Sequence, residues 1–382
     1  MHHQKMKATL IGLAMLAISN AAIAESGVNQ NEIVIGRSSS ITGMAALMQV
    51  SYTQGYEAAQ NQINKRGGIN GRYLKTIVMD DAFDPKKTLS NAKKLIDSDG
   101  VFALFSLNGT GSVAAVQPLI EEKKVPLFGA ITGAESLRSK EDFSRYIFHV
   151  RAGYADEMEA IVRHVHMLGQ ANLVVIYQNI PFGKALLNHV EQSLAKRGMK
   201  PMGAFMVESD GKGSDLAVAQ AMKLKPDSII IATAGAASVA TMKSIQQSGQ
   251  HAQLYGSSLI GVAGLQKALG AQVDGLVVTQ VMPSPFDKTN QLSKDYQEAM
   301  RGIGVNDFNY ESFEAYTNMR FFAEALKRAG KNLTRQGLID SIETNREISV
   351  GEFSAKYGRA NHDGSNYVDI TMVTNKPVKF IR

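Results

Sequence analysis

Residues Gln60 to Pro85 read QNQINKRGGINGRYLKTIVMDDAFDP, and this stretch decides the fold. The residue pattern predicts a helix that ends at Asn64-Lys65-Arg66. Gly67-Gly68 break it where the backbone needs φ > 0. Ile69-Asn70-Gly71 then form a tight turn, and Leu74 to Met79 are a short apolar run of buried-strand type. Asp80 and Asp81 close that strand, and Asp84-Pro85 open the next helix as N-cap and first helical residue. Helix, turn, buried strand and helix in that order make one unit of a parallel α/β sheet.

Working outward, the same alternation fills the chain. Apolar runs occur at Ile33–Gly36, Val101–Phe105, Pro126–Phe128, Ala171–Tyr177, Met202–Val207, Ser228–Ala232 and Leu276–Thr279. Helical patterns lie between them, at Tyr52–Lys65, Thr88–Ser98, Val113–Glu122, Glu157–Leu168, Lys184–Arg197 and Ala236–Ser248. Near-continuous apolar strands between amphipathic helices predict a parallel sheet covered on both faces. A chain of 382 residues with this rhythm suits two doubly wound units better than one. Crossings between them are expected at Val150-Arg151-Ala152 and Gln280-Val281-Met282-Pro283, with a third between Gly351 and Val368. Helices at Leu292–Arg301, Ser312–Arg328 and Arg335–Glu343 would return to the first unit. Strands near Gly351–Lys356 and Tyr367–Val373 would close the chain. No internal repeat, low-complexity tract or heptad pattern interrupts it.

The N-terminus has the form of an export signal. Lys5 and Lys7 precede a short apolar run, Ala8 to Ile18, and Ala22-Ile23-Ala24 is a small-x-small cleavage site before Glu25. The run is well short of the ~20 residues that cross a bilayer. Cleavage after Ala24 is expected, with residues 25–382 mature and periplasmic. The sequence has no cysteine, so neither a disulfide nor a lipid-modified cysteine can hold it. The formal net charge of +6 is scattered, with no basic block, which argues against a nucleic-acid partner.

Two turns carry candidate chemistry. Asn108-Gly109-Thr110-Gly111-Ser112-Val113-Ala114 follows the strand ending at Phe105 and opens a helix. It loosely matches a dinucleotide fingerprint. The motif follows the third strand rather than the first, and no acidic residue ends a strand about 20 residues later. Free N–H groups at a helix start bind anions, so a carboxylate fits this turn better than a cofactor. Ala130-Ile131-Thr132-Gly133-Ala134-Glu135 follows the next strand and precedes a further expected helix, for which Thr132 could serve as cap. Consecutive strand-to-helix turns converge at the carboxyl ends of their strands. Asp80 and Asp81 point to opposite faces of their strand and cannot jointly grip a metal. His164 and His166 lie on nearly opposite sides of one helix, and neither HExxH nor GxSxG occurs. No catalytic constellation is present, and neither cofactor nor metal is expected. Of the 17 methionines, Met48, after the first strand, is the one placed to line a ligand mouth.

Over nearly the whole mature chain the sequence resembles the leucine/isoleucine/valine-binding family of type I periplasmic solute-binding proteins. The likeness is carried by Ser40-Ile41-Thr42-Gly43, the GGINGR-to-DDAFDP block, the NGTGS and AITGAE turns, and Tyr177…Pro181-Phe182-Gly183. It implies an α/β fold of two doubly wound parallel-sheet lobes joined by a three-segment hinge. Lobe 1 would hold 25–150 and 281–366, and lobe 2 would hold 151–280 and 367–382. In that family an amino acid lies between the lobes. The resemblance puts its carboxylate at Asn108, Gly109, Thr110, Ala130, Ile131 and Thr132. The family's ammonium cage is not matched. Its glutamate falls at Ser258, its tyrosines at Phe182 and Ala236, and its aromatic after the first strand at Met48. Glu311 could replace some of the charge. A buried ammonium with no carboxylate partner is costly. A larger aromatic or aliphatic organic acid without an α-ammonium is therefore the expected ligand.

The resemblance implies a monomeric receptor with no activity of its own, which delivers a small carboxylate to the permease of an ABC importer. The alternatives are a ligand sensor for a membrane receptor or regulator, and an exported enzyme.

Overall fold

A computed structural model describes residues 25–138, 144–249 and 251–374, with the backbone of 379–380. The expected export signal, 1–24, lies outside the described residues. Strands β1 (Glu32–Ser39), β2 (Tyr73–Asp80), β3 (Ala103–Phe105), β4 (Leu127–Phe128) and β5 (Ile147–Phe148) form one sheet in the order β2-β1-β3-β4-β5, all parallel. Between them run helices α1 (Ala46–Lys65), α2 (Pro85–Asp97) and α3 (Thr110–Lys123). The second sheet contains β6 (Leu173–Gln178), β7 (Gly203–Val207), β8 (Ser228–Ala232), β9 (Gln253–Gly256) and β10 (Val277–Gln280) in the parallel order β7-β6-β8-β9-β10. Its helices are α4 (Tyr154–Met167), α5 (Pro181–Ala195), α6 (Ser214–Lys223), α7 (Ala236–Gln247) and α8 (Val262–Leu269). Both orders reverse beside the first strand, as in doubly wound folds, so each sheet opens a crevice at its strands' carboxyl ends.

The chain passes from the first sheet to the second after β5 and returns after β10. Helices α9 (Gln291–Arg301), α10 (Tyr310–Ala329) and α11 (Arg335–Asn345) follow, with α1 and α10 packed along each other. Three short strands, β11 (Glu347–Val350), β12 (Phe353–Gly358) and β13 (Asn361–Gly364), make a separate antiparallel sheet, and β13 packs on β5. The chain then crosses a third time, and β14 (Asp369–Met372) pairs antiparallel with β10. Strand β15 (Lys379–Phe380) pairs with β14.

Local sequence explains the elements. In the opening stretch, Gly67 and Gly68 sit at φ +92 and +74, and Ile69 and Arg72 exchange backbone hydrogen bonds of 2.7 and 3.0 Å around the turn. Asp84 Oδ1 accepts from Lys86 N at 2.8 Å and caps α2. Asn309 caps α10 through Ser312 N, and Thr334 caps α11 through Gly337 N, both at 2.9 Å. Asp81 is fully buried and accepts from Ser38, Ser40 and Phe83 N, while exposed Asp80 accepts from Thr42 on the other side.

Three expectations need correction. The helix expected after β4, near Glu135, is a 3-10 turn of three residues, Glu135–Leu137. The backbone leaves helical geometry at Arg138, φ −133, whose buried Nη2 donates to Thr132 O at 3.0 Å and Arg151 O at 3.2 Å. The strand expected at Gly351–Lys356 is β12, shifted by two residues, and it pairs across a turn at Gly351-Glu352 with β11, a strand that was not expected. The second sheet is not wholly parallel, since β14 and β15 extend its edge antiparallel.

Candidate functional site

The two turns singled out in the sequence run side by side. Ile131 N donates to Leu107 O at 2.9 Å, and Gly109 N donates to Ile131 O at 3.2 Å. This ladder carries Asn108, Gly109 and Thr110 along Ala130, Ile131 and Thr132 at the ends of β3 and β4. Thr110 is the first residue of α3, where backbone N–H groups lack helical partners. Its hydroxyl lies 2.9 Å from that of Thr132. Tyr154, which opens α4, brings its phenol within 3.4 and 3.3 Å of the two. All three side chains are buried, as is Asn108, whose Nδ2 has no partner among the described residues. Phe182 meets the Tyr154 ring edge-on, with centroids 5.5 Å apart. This corner can bind an anion through hydroxyls and a helix start, under an aromatic wall.

A buried ionic network continues from there. Arg151, in the first hinge crossing, is 1 % exposed. Its Nη2 lies 3.0 Å from Glu157 Oε1, and its Nη1 lies 3.3 Å from Glu314 Oε1. Nη2 also donates to Ser258 Oγ. Glu157 Oε2 accepts from Ser258 N at 2.8 Å and Thr279 Oγ1 at 2.6 Å. Tyr52 donates to Glu314 Oε2 at 2.8 Å. Tyr52 and Glu314 lie on α1 and α10, while Glu157 lies on α4 and Ser258 and Thr279 lie at the ends of β9 and β10 in the second sheet. Burial opposes the charge of Arg151, but the two carboxylates more than restore it, so its pKa is raised. Burial pushes Glu314 up, against the pull of Arg151 and Tyr52. Burial likewise pushes Glu311 up, against its hydrogen bond from Ala263 N at 3.0 Å. A cavity of about 10 Å3 lies among Ser258, Gln280, Tyr310, Glu311 and Glu314.

The lobes also meet along the rim. Ala236 N donates to Met44 O at 3.2 Å. Gly235, at φ +59, comes so close that an added Cβ would lie 2.3 Å from that oxygen. Buried Met48 borders Gly261.

The sequence-derived residues thus fall into three places. Asn108, Gly109, Thr110, Ala130, Ile131, Thr132 and Phe182 surround the hydroxyl corner. Ser258 belongs to the ionic network, with Glu311 beside it. Met48 and Ala236 line the rim. Sequence reasoning missed Tyr52, Tyr154, Glu157 and Glu314, and it read Arg151 as a crossing only. One signal was present: Glu157 and Glu314 lie on the apolar faces of α4 and α10, beside Met158 and Phe313. The structure also removes a premise, because a carboxylate does stand at Ser258, supplied by Glu157 from another helix.

Comparison with known proteins agrees with this architecture. The family described as periplasmic binding protein matches residues 32–377. A Leu/Ile/Val-binding protein homolog 2 of Brucella abortus is 24% identical over 318 residues, 82% of this chain and 82% of its own length. The crystal structure of a substrate-binding periplasmic protein from Ralstonia solanacearum superposes with a TM-score of 0.85 at 24% identity, over 92% of this chain and 100% of that one. An extracellular ligand-binding receptor from Verminephrobacter eiseniae does so at 0.84 and 26% identity, over 91% and 100%. Among the described residues, no helix is long and apolar enough to cross a membrane.

Proposed function

This chain belongs to the periplasmic binding protein family, and from that premise we propose that it is an exported solute receptor that delivers a small carboxylate to an ABC importer of the branched-chain amino acid type. The observation that carries the reading is the hydroxyl corner. Thr110, Thr132 and Tyr154 converge within 3.4 Å at the start of α3. That arrangement suits an oxyanion held in a cleft that closes over it. The ligand's carboxylate sits at this corner and its body extends toward Phe182, Ala236 and Met48. The receptor works as a monomer without cofactor or catalysis, released into the periplasm by cleavage after Ala24.

Two ligand classes share this carboxylate. Phe182 and Ala236 in place of the family's tyrosines support a plain organic acid. Glu157 at Ser258, with Glu311 and Glu314 beside it, supports an α-amino acid, as does the name of the Brucella relative.

The test is calorimetry with leucine, isoleucine and valine against phenylacetate and hexanoate. Thr132→Val removes one hydrogen bond to a charged group. It should weaken the bound ligand by roughly 1.5–3 kcal/mol, about 10- to 150-fold in affinity. Binding of a carboxylate that is indifferent to Thr132→Val would refute the placement.

A further inference from the structure

A second cavity, outside the cleft, lies on the flank of the first lobe. It holds about 490 Å3 between one face of α1 and the exposed edge of the sheet. Its floor is Arg37 of β1 with Thr76 and Val78 of β2. Arg37 pairs with Val78 in the parallel register, so the two side chains share a face. Its wall is α1, through Ala46, Val50, Thr53, Glu57 and Gln60, spaced three or four residues apart along one side of the helix. The lining is mainly apolar. Val50 is 51% exposed, Ile41 53% and Val78 43%, so apolar side chains line an open groove.

Arg37 is the anomaly. It is 3% exposed and forms no ion pair with any described residue. Nη2 alone is held, by Ser39 Oγ at 3.3 Å and Thr53 Oγ1 at 3.1 Å. Its guanidinium carbon lies 4.3 Å from the centre of the Tyr56 ring. Nε is buried and has no partner among the described residues, and Nη1 hydrogen-bonds none of them. The nearby acids, Glu57 and Asp81, favour its charge from a distance, but neither pairs with it. Asp81 is taken by Ser38, Ser40 and Phe83 N, and Glu57 is exposed. A guanidinium withdrawn from water without a counter-ion is costly, and it strongly favours any anion that reaches it.

We propose that this groove is a second binding site, which takes a small monocarboxylate with an apolar body. The carboxylate pairs with Arg37 at the floor, and the body lies along Val50, Ile41 and Val78. Glu57 is the one acid among the described residues lining the groove, and its like charge selects a single negative group over two. The site shares no residue with the cleft and stands or falls independently of the proposed function.

The test is methyl 1H–13C NMR of the full mature chain, labelled at isoleucine and valine, titrated with phenylacetate and separately with neutral phenylacetamide. Phenylacetate should shift the methyls of Ile41, Val50 and Val78, and phenylacetamide should not. Arg37→Gln should weaken the response roughly 10- to 150-fold, as expected for loss of a charged hydrogen-bonded pair. Should Arg37→Gln fail to fold, Val50→Glu serves instead. It changes an exposed side chain, places a like charge in the groove, and should abolish the response. Thr132→Val should leave it unchanged, which separates this site from the cleft. The proposal is overturned if those methyls stay still at ~1 mM probe. It is also overturned if phenylacetamide moves them equally, or if the response survives Val50→Glu.

Discussion

Replacing Arg151 by methionine tests whether the buried network, rather than apolar packing alone, ties the lobes together. Arg151, Glu157 and Glu314 are 1, 0 and 3% exposed, so solvent screens little of what is lost. Methionine fills much of the volume but leaves two carboxylates without their cation. Removing one partner from a buried pair costs about 3–5 kcal/mol, chiefly because the other charge stays buried. With a urea m-value of about 3 kcal/mol/M, the unfolding midpoint at pH 7 should drop by about 1–2 M. The loss has a pH signature. The folded pKa of Glu314 is already raised by burial, and without Arg151 it rises further. Stability contributed by an acid with a raised folded pKa is fully present below its unfolded pKa, ~4.3, and is lost as pH rises through the folded value. The deficit of Arg151→Met relative to the parent should therefore shrink as pH falls from 7 toward 5. Adding Glu314→Gln, which removes one orphaned charge, should recover part of it. Urea titrations of parent, single and double variants at both pH values decide the matter. A loss below about 1 kcal/mol at pH 7, or a loss equal at both pH values, would show that this network carries no such energy.

Gly235→Val should weaken whichever carboxylate the cleft binds while leaving the lobes folded, because its Cβ would meet Met44 O at 2.3 Å and hold the rim open. Small-angle scattering should then show no compaction on ligand addition, and compaction equal to the parent's would refute the steric argument. Acid should destabilise the protein through His362, whose pKa burial lowers to about 4. A histidine with a depressed folded pKa contributes stability that is present above its unfolded pKa, ~6.5, and is lost as pH falls from there to the folded value of about 4, on the order of 3 kcal/mol. His362→Asn should flatten the fall in unfolding free energy between these limits, and an unchanged slope would assign the fall to other groups.

Much of the fold was legible because it rests on local rules. The breaks at Gly67 and Gly68, the cap at Asp84 and the mainly apolar strands at Val101–Phe105 and Ser228–Ala232 each follow from short-range chemistry. The two turns after β3 and β4 were legible for the same reason: each directly follows a strand end in the sequence. The hairpin at 347–358 and the antiparallel β14 were harder, since pairing partners for two- to six-residue strands are set by tertiary packing. The ionic network was least legible. Arg151 meets Glu314 across 163 residues and Ser258 across 107, and no local rule joins them. The expectation that Ser258 lacked a carboxylate failed because one aligned position was asked to stand for a site that Glu157 fills from another helix.

That substitution bears on the ligand's charge, and proton linkage can read it. Glu157, Glu311 and Glu314 lie near Ser258, and Arg151 pairs with Glu157 and Glu314. Burial raises the pKa of Glu311 and of Glu314, so both hold protons further toward neutrality than an exposed glutamate would. An α-ammonium placed beside them would favour their ionised forms, lower both pKa values and release protons on binding. A plain carboxylate brings only negative charge, raises them further and takes protons up. Calorimetry of the bound ligand in two buffers of different ionisation enthalpy, at pH 5 to 6, gives the number and sign of linked protons. Release with leucine, abolished in Glu311→Gln, would establish these glutamates as the ammonium's partners. Uptake or no linkage with leucine would refute that role and leave the organic acid as the reading the cleft supports.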